Sequence, residues 1–153
     1  MNLYLMQHGR PVAIEEDPER PLSNQGNDEV KKVAEFLKKR GIRADKILHS
    51  GKMRARQTAE IIALRLTPGK EPLERNDISP MDDITSFADE IKECDNDLMV
   101  VGHLPYLARL TSLLLIDSES PFLIAFQQGG VLCLSRDNDL VWTIRWMLVP
   151  EII

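Results

Sequence analysis

A chain of 153 residues, 43% apolar and 28% charged, has the composition of a folded globular protein rather than a disordered one. Its formal charge of −5 argues against non-specific nucleic-acid binding, and no apolar run is long enough to span a bilayer. The length fits a single domain over residues 1–153. Cys94 and Cys133 lack CxxC spacing, and Met1–Met6 is too short for a signal peptide. Free thiols in a reducing, cytoplasmic setting are therefore expected.

Leu3-Tyr4-Leu5-Met6 predicts a short buried strand that ends at His8-Gly9-Arg10. The following polar segment carries Pro18 and Pro21 and is not expected to be helical. Ser23 or Asn24 then caps a helix with Val30, Val33, Ala34 and Leu37 on one face, running through Lys38-Lys39-Arg40 to Gly41. Lys46–His49 predicts a second strand and Met53–Leu66 a second helix, closed by Pro68-Gly69.

Between Glu71 and Asp83 the prolines at 72 and 80 predict irregular chain. Ile84–Glu93 reads as a helix and Leu98–Val101 as a strand leading into Gly102-His103. Leu104–Leu115 returns to helix, with Pro105 in its first turn. Leu123–Phe126, Val131–Leu134 and Leu140–Trp146 read as strands, and residues 136–139 as a hairpin turn. Trp142 and Trp146, four apart, are expected on one face of the last strand. Strands alternating with helices, followed by a β-rich end, imply a three-layer α/β/α sandwich on a mixed, mostly parallel sheet.

Two apolar strands thus each deliver a histidine beside a glycine, at the strand ends where α/β proteins gather chemistry. After the second strand, Ser50-Gly51 opens a helix whose free N–H groups and dipole favour an anion. Arg54, in the first turn of that helix, suits planar two-point binding of phosphate oxygens, whereas Lys52 and Arg56 read as solvated helix cations. Three histidines without clustered carboxylates predict no metal site, and His49 reads as a packing residue.

Leu5-Met6-Gln7-His8-Gly9, Ser50-Gly51-Lys52-Met53-Arg54-Ala55-Arg56-Gln57-Thr58-Ala59 and Val101-Gly102-His103 resemble three signatures of the histidine phosphatase superfamily. Those signatures are Arg-His-Gly on the first strand, S-P-x-x-R-A-x-Q-T-A at a helix start, and a late Gly-His. Arg20-Pro21-Leu22-Ser23-x-x-Gly26 further resembles R-P-L-T-x-x-G of the small bacterial SixA-type phosphohistidine phosphatases. The resemblance runs from residue 3 to about residue 135 with its motifs in order, and no large cap insertion interrupts it.

The resemblance implies a phosphoglycerate mutase-like fold and a metal-independent, cofactor-free phosphatase that works through a phosphohistidine intermediate. It implies His8 as nucleophile, with Arg54 and His103 stabilising the phosphoryl oxygens. Gln7, Gly9, Arg20 and Ser50 follow as substrate-binding residues. Asp82 and Asp83 lie where relatives acting on alcohol phosphates carry a general acid; as plain loop carboxylates they would cap the Ile84 helix.

The implied substrate is phosphohistidine on a protein, such as a phosphorelay or phosphocarrier domain, acted on by a monomer without membrane attachment. The alternatives are a small-molecule phosphomonoesterase and a phosphate-binding module of weakened activity. Two departures from the pattern bear on that choice. Gln7 replaces the arginine of the triplet and removes a charge, for which Arg10 is the candidate replacement. Gly51 replaces a proline, a change expected to be tolerated because both residues suit a helix start.

Overall fold

The computed structural model describes residues 1–153. Its six strands are β1 (Asn2–Gln7), β2 (Lys46–His49), β3 (Leu73–Glu74), β4 (Leu98–Gly102), β5 (Val131–Arg136) and β6 (Trp142–Leu148). They form one sheet in the order β3-β2-β4-β1-β5-β6. β1 to β4 are parallel, and β5 and β6 are antiparallel additions. The helices are α1 (Asn24–Lys39), α2 (Met53–Leu66), α3 (Thr85–Lys92) and α4 (Tyr106–Ile116), with a short 3₁₀ turn at Pro150–Ile152. No helix is long and apolar enough to cross a membrane.

The period of two along each strand splits the core into two layers. Leu3, Leu5, Leu98, Val100, Leu132 and Leu134 pack with Phe87 and Ile91 of α3 and with Tyr106, Leu107 and Leu110 of α4. Tyr4, Met6, Met99, Val101, Val131 and Cys133 pack on the opposite face with Val30, Val33 and Leu37 of α1 and Ala55, Ala59 and Ile62 of α2. The expected three-layer sandwich on a mixed sheet is observed.

β4 inserts between β2 and β1, so Gln7 is paired with Gly102. His8 and His103, the next residues on each strand, therefore leave the sheet side by side. The chain goes from β1 to α1 on one face and from β4 to α4 on the other. This reversal opens the crevice in which doubly wound sheets bind ligands.

Local chemistry explains the α1 start. Ser23, not Asn24, is the cap, its hydroxyl accepting from the Gly26 amide at 3.0 Å. A Cβ on Gly26 would lie 2.2 Å from the Arg10 carbonyl oxygen, so this motif glycine lets α1 touch the loop after β1. That loop folds back on itself through an isolated bridge between Pro11 and Leu22 and a 2.8 Å bond from the Val12 amide to Pro21.

Several expectations are corrected. Leu123–Phe126 is not a strand: β5 is already flanked by β1 and β6, and the segment buries Phe126 on the α3/α4 layer without strand pairing. The last strand is Trp142–Leu148 rather than Leu140–Trp146, because Leu140 adopts a φ of 63° in the turn organised by Asp137 Oδ1. The two tryptophans lie on opposite faces. Pairing passes from Cys133–Trp146 to Leu134–Ile144, and the extra residue, Arg145, reverses the alternation. Trp142 joins the α3/α4 layer, whereas Trp146 packs with the α1/α2 layer beside Tyr4. Leu73–Glu74 forms a two-residue strand inside the stretch expected to be irregular, and α4 begins at Tyr106 rather than Leu104.

Candidate active site

His8 is 7% exposed and His103 2%, with ring centroids 5.0 Å apart. His8 Nδ1 lies 2.7 Å from the Gly9 carbonyl oxygen, and Arg54 Nε donates to His8 Nε2 at 3.2 Å. A carbonyl can only accept and a guanidinium can only donate. The pair therefore fixes one tautomer, with the proton on Nδ1 and a lone pair on Nε2 directed at Arg54.

Gly9 has to be glycine. A Cβ there would stand 2.6 Å from Val30 Cγ2 and 3.0 Å from Leu22 Cδ2. Its amide is held by the Thr58 hydroxyl at 3.0 Å.

His103 is positioned by β4 and held at Nε2 by the Ser50 hydroxyl at 2.5 Å. The Ser50–Lys52 turn presents the start of α2 beside it. Lys52, the helix N-cap, makes no side-chain capping bond, so the first N–H groups of α2 have no protein cap. Gly51 adopts a φ of 81°, and a Cβ would meet Glu74 Oε1 at 2.6 Å. Proline cannot take that φ, so the Gly-for-Pro departure is not an interchange of two helix starters. It accompanies a turn in which the Gly51 amide donates to His49 Nδ1 at 3.0 Å. His49 thus shapes the turn.

Charge gathers at this end of the sheet. Burial, and then Arg54 and Arg20, push the His8 pKa down to about 4, against the opposing pull of the Gly9 carbonyl. Burial, followed by His8, Arg54 and Lys52, lowers that of His103 to about 3. Burial and Arg20 also lower the Arg54 pKa. Three cationic side chains thus surround two neutral imidazoles, an electrostatic setting that favours an anion.

Both histidines titrate lower in the folded state than in the unfolded one. Their contribution to stability is complete above the unfolded pKa near 6.5. It is lost as pH falls through the window down to about 4 for His8 and about 3 for His103. Between pH 7 and pH 5 unfolding stability should drop by about 3–4 kcal/mol, measured by urea titration. His103→Asn should roughly halve that slope, and a stability independent of pH across this window would contradict the account.

Other sequence candidates fall in different places. Arg20 is half-buried in a left-handed conformation (φ 50°), and its Nε approaches the Val12 carbonyl at 3.4 Å. Its loop is tied to α2 by a 2.7 Å bond from the Leu22 amide to Gln57 Oε1. Arg10 does not replace the missing charge: it pairs with Glu29 at 3.2 Å. Gln7 Oε1 is buried without a protein hydrogen-bond partner, as are His103 Nδ1 and the Tyr106 hydroxyl.

Asp82 and Asp83 are held in local turns rather than against His8. Asp82 accepts from the Ser79 amide at 2.7 Å, and Asp83 from the amide and hydroxyl of Thr85 at the start of α3. No group of three or more His, Cys, Asp or Glu residues is placed to hold a metal ion.

Gln57 and Thr58 were part of the motif but carried no assigned role. Their positions three and four residues after Arg54, on the same helical face, were the available signal.

The model of the histidine phosphatase superfamily (branch 1) matches residues 3–78. Phosphohistidine phosphatase SixA of Escherichia coli is 26% identical over 98% of this chain and 94% of its own length. An uncharacterised protein of Picosynechococcus is 34% identical over 70% of this chain and 68% of its own. A solved structure of the protein histidine phosphatase SixA complexed with tungstate shares the fold, with a TM-score of 0.87, 23% identity and 99% of both chains covered. The chain belongs to the histidine phosphatase superfamily, and its enzyme class is that of a SixA-like phosphatase.

Proposed function

We propose that the protein is a phosphohydrolase that takes the phosphoryl group onto His8 Nε2, and that its substrate is phosphohistidine on a protein. The observation that carries the mechanism is the doubly fixed imidazole: Nδ1–H against the Gly9 carbonyl, with the Nε2 lone pair facing Arg54. Nε2 cannot both accept from Arg54 and attack phosphorus. An arriving phosphoryl group takes the lone pair, and the guanidinium is released to its oxygens. As the P–Nε2 bond forms, the P–N bond to the substrate imidazole breaks, and that ring, protonated on its other nitrogen, leaves as neutral imidazole. The His8 ring takes up the positive charge, which the Gly9 carbonyl stabilises through Nδ1–H. Arg54, the uncapped start of α2 and His103, whose protonated form a bound phosphate favours, oppose the charge spreading over the phosphoryl oxygens. Water then cleaves the P–Nε2 bond, releasing inorganic phosphate and restoring the neutral ring.

Two observations favour a protein-borne phosphohistidine over a phosphate ester. An imidazole leaves readily once protonated, and the two carboxylates that could serve a poorer leaving group are engaged in turns. No helix is inserted among the connections that follow β1, β2, β3 and β4, and those after β2 and β4 are three residues each, an arrangement that suits a side chain presented by another protein. The E. coli relative is itself named a phosphohistidine phosphatase.

Rates on a phosphohistidine-bearing phosphocarrier and on a panel of phosphate monoesters test this reading. The expected preference, as kcat/KM, is at least about 100-fold for the phosphoprotein. A preference for any small ester reverses the assignment. On the same substrates Gln7→Arg should raise activity if the missing charge limits the rate, by up to about tenfold. An unchanged rate removes Gln7 from the account.

A further inference from the structure

Helix α2 supplies more to the site than Arg54. Thr58 is fully buried, and its hydroxyl both donates and accepts a hydrogen bond. The hydroxyl donates to the Arg54 carbonyl at 2.7 Å and accepts from the Gly9 amide at 3.0 Å. Because its one proton is held by Arg54, the oxygen can offer only a lone pair to Gly9.

Gly9 is thus gripped at both ends: its amide by Thr58, and its carbonyl by His8 Nδ1 at 2.7 Å. The same hydroxyl joins the backbone of the residue whose guanidinium meets His8 Nε2. Helix α2 and the end of β1 are remote in sequence, and this hydroxyl bonds directly between them at the reacting ring.

We propose that Thr58 is a positioning residue, whose hydroxyl sets the tautomer and orientation of His8 through Gly9 and fixes His8 relative to Arg54. The proposal rests on the reading of His8 as nucleophile. Without the hydroxyl, the Gly9 amide loses its acceptor and the His8–Gly9 peptide is held only through the His8 carbonyl, which accepts from the Gly129 amide at 3.1 Å. The following peptide, whose carbonyl meets Nδ1, then gains freedom to turn away, and the ring can place its proton on Nε2. A ring protonated there has no lone pair for phosphorus. Phosphate binding depends instead on Arg54, His103 and the start of α2, so the loss should fall on turnover.

The test compares Thr58→Val, which keeps shape and removes the hydroxyl, with Thr58→Ser, which keeps the hydroxyl. Thr58→Val should lower kcat about 10- to 100-fold while KM changes by less than about threefold. Nitrogen NMR of the imidazole rings should show His8 passing from the Nδ1–H tautomer to a mixture. Thr58→Ser should stay within about threefold of wild type in kcat and keep the Nδ1–H form.

A folded Thr58→Val with wild-type kcat and an unmixed Nδ1–H ring overturns the proposal. So does a Thr58→Ser that loses as much as the valine variant, which would assign the effect to the lost methyl. Hydrogen exchange in the wild type decides the matter should the valine variant not fold. The Gly9 amide should be strongly protected, and exchange at the rate of a free loop amide refutes the tether. A wild type that takes no phosphoryl label on His8 instead refutes the nucleophile reading, while the tautomer comparison still decides the role of Thr58.

Discussion

His8→Asn should reduce phosphatase activity at least about 1,000-fold, because no other group at the site can take the phosphoryl group. The Ser50 hydroxyl is paired with His103 Nε2 and lies beside the helix start rather than on β1, and the Thr58 hydroxyl gives its proton to the Arg54 carbonyl. His103 is held at that same nitrogen, and its other ring nitrogen is buried. His8 alone has an imidazole lone pair facing the guanidinium, with its opposite nitrogen protonated against a carbonyl. Asparagine removes the attacking lone pair while leaving a group of smaller volume in the pocket. Circular dichroism and thermal unfolding check that the variant folds. Activity within about tenfold of wild type would show that the reaction proceeds without a covalent intermediate at His8.

The second large effect belongs to Arg54. It is the one cation in direct contact with the nucleophile, at 3.2 Å, and its position in the first turn of α2 ties it to the helix start. Arg54→Ala should cost about 100- to 1,000-fold in kcat/KM, as for loss of one preorganised donor to a transition-state oxygen. Arg54→Lys should recover only a small part. A lysine restores the charge but not the planar set of donors that can leave Nε2 and engage two oxygens together. Arg54→Ala should also raise the His8 pKa, since the Arg54 charge helps to hold it down. A lysine variant with full activity would show that Arg54 acts as a point charge and that planar recognition is not used.

Which parts of this were legible in the chain follows from the range of the interactions. The runs Leu3–Met6 and Leu98–Val101 announced β1 and β4 because burial on both faces leaves continuous apolar sequence. Their adjacency was not legible, since β4 enters between β2 and β1 through pairing across almost a hundred residues. The bulge at Arg145 was hidden for a similar reason: a one-residue slip leaves the composition of β6 untouched yet sends Trp142 and Trp146 to opposite layers. Leu123–Phe126 has the composition of a strand, yet it pairs with none and buries Phe126 in the α3/α4 layer instead.

At the site, the motif residues could be placed by resemblance, and the structure adds what joins them. Arg10 stands three residues from Gln7, yet its charge is spent on Glu29 across the loop. Asp82 and Asp83 sit in a suitable stretch of sequence, but nearby amides hold their oxygens. Gly51 matched a proline position by analogy and departs from it in backbone conformation, with a φ that proline cannot reach. Gln57 and Thr58 were in plain view within the helix motif. Their partners, the Leu22 and Gly9 amides, belong to the β1–α1 loop and became visible only when that loop was seen folded against α2.

The most direct test of the central claim is to trap the covalent intermediate and locate it. Brief incubation with a phosphorylated donor, alkaline quenching and mass spectrometry of the peptides identify the modified residue, since phosphohistidine survives base and is lost in acid, and NMR of the labelled ring identifies the nitrogen. Phosphate is expected on His8 at Nε2, absent in His8→Asn and still formed, more slowly, in Arg54→Ala. Phosphate on Nδ1 of His8, on His103 or on Ser50, or active enzyme that never becomes labelled, would contradict it.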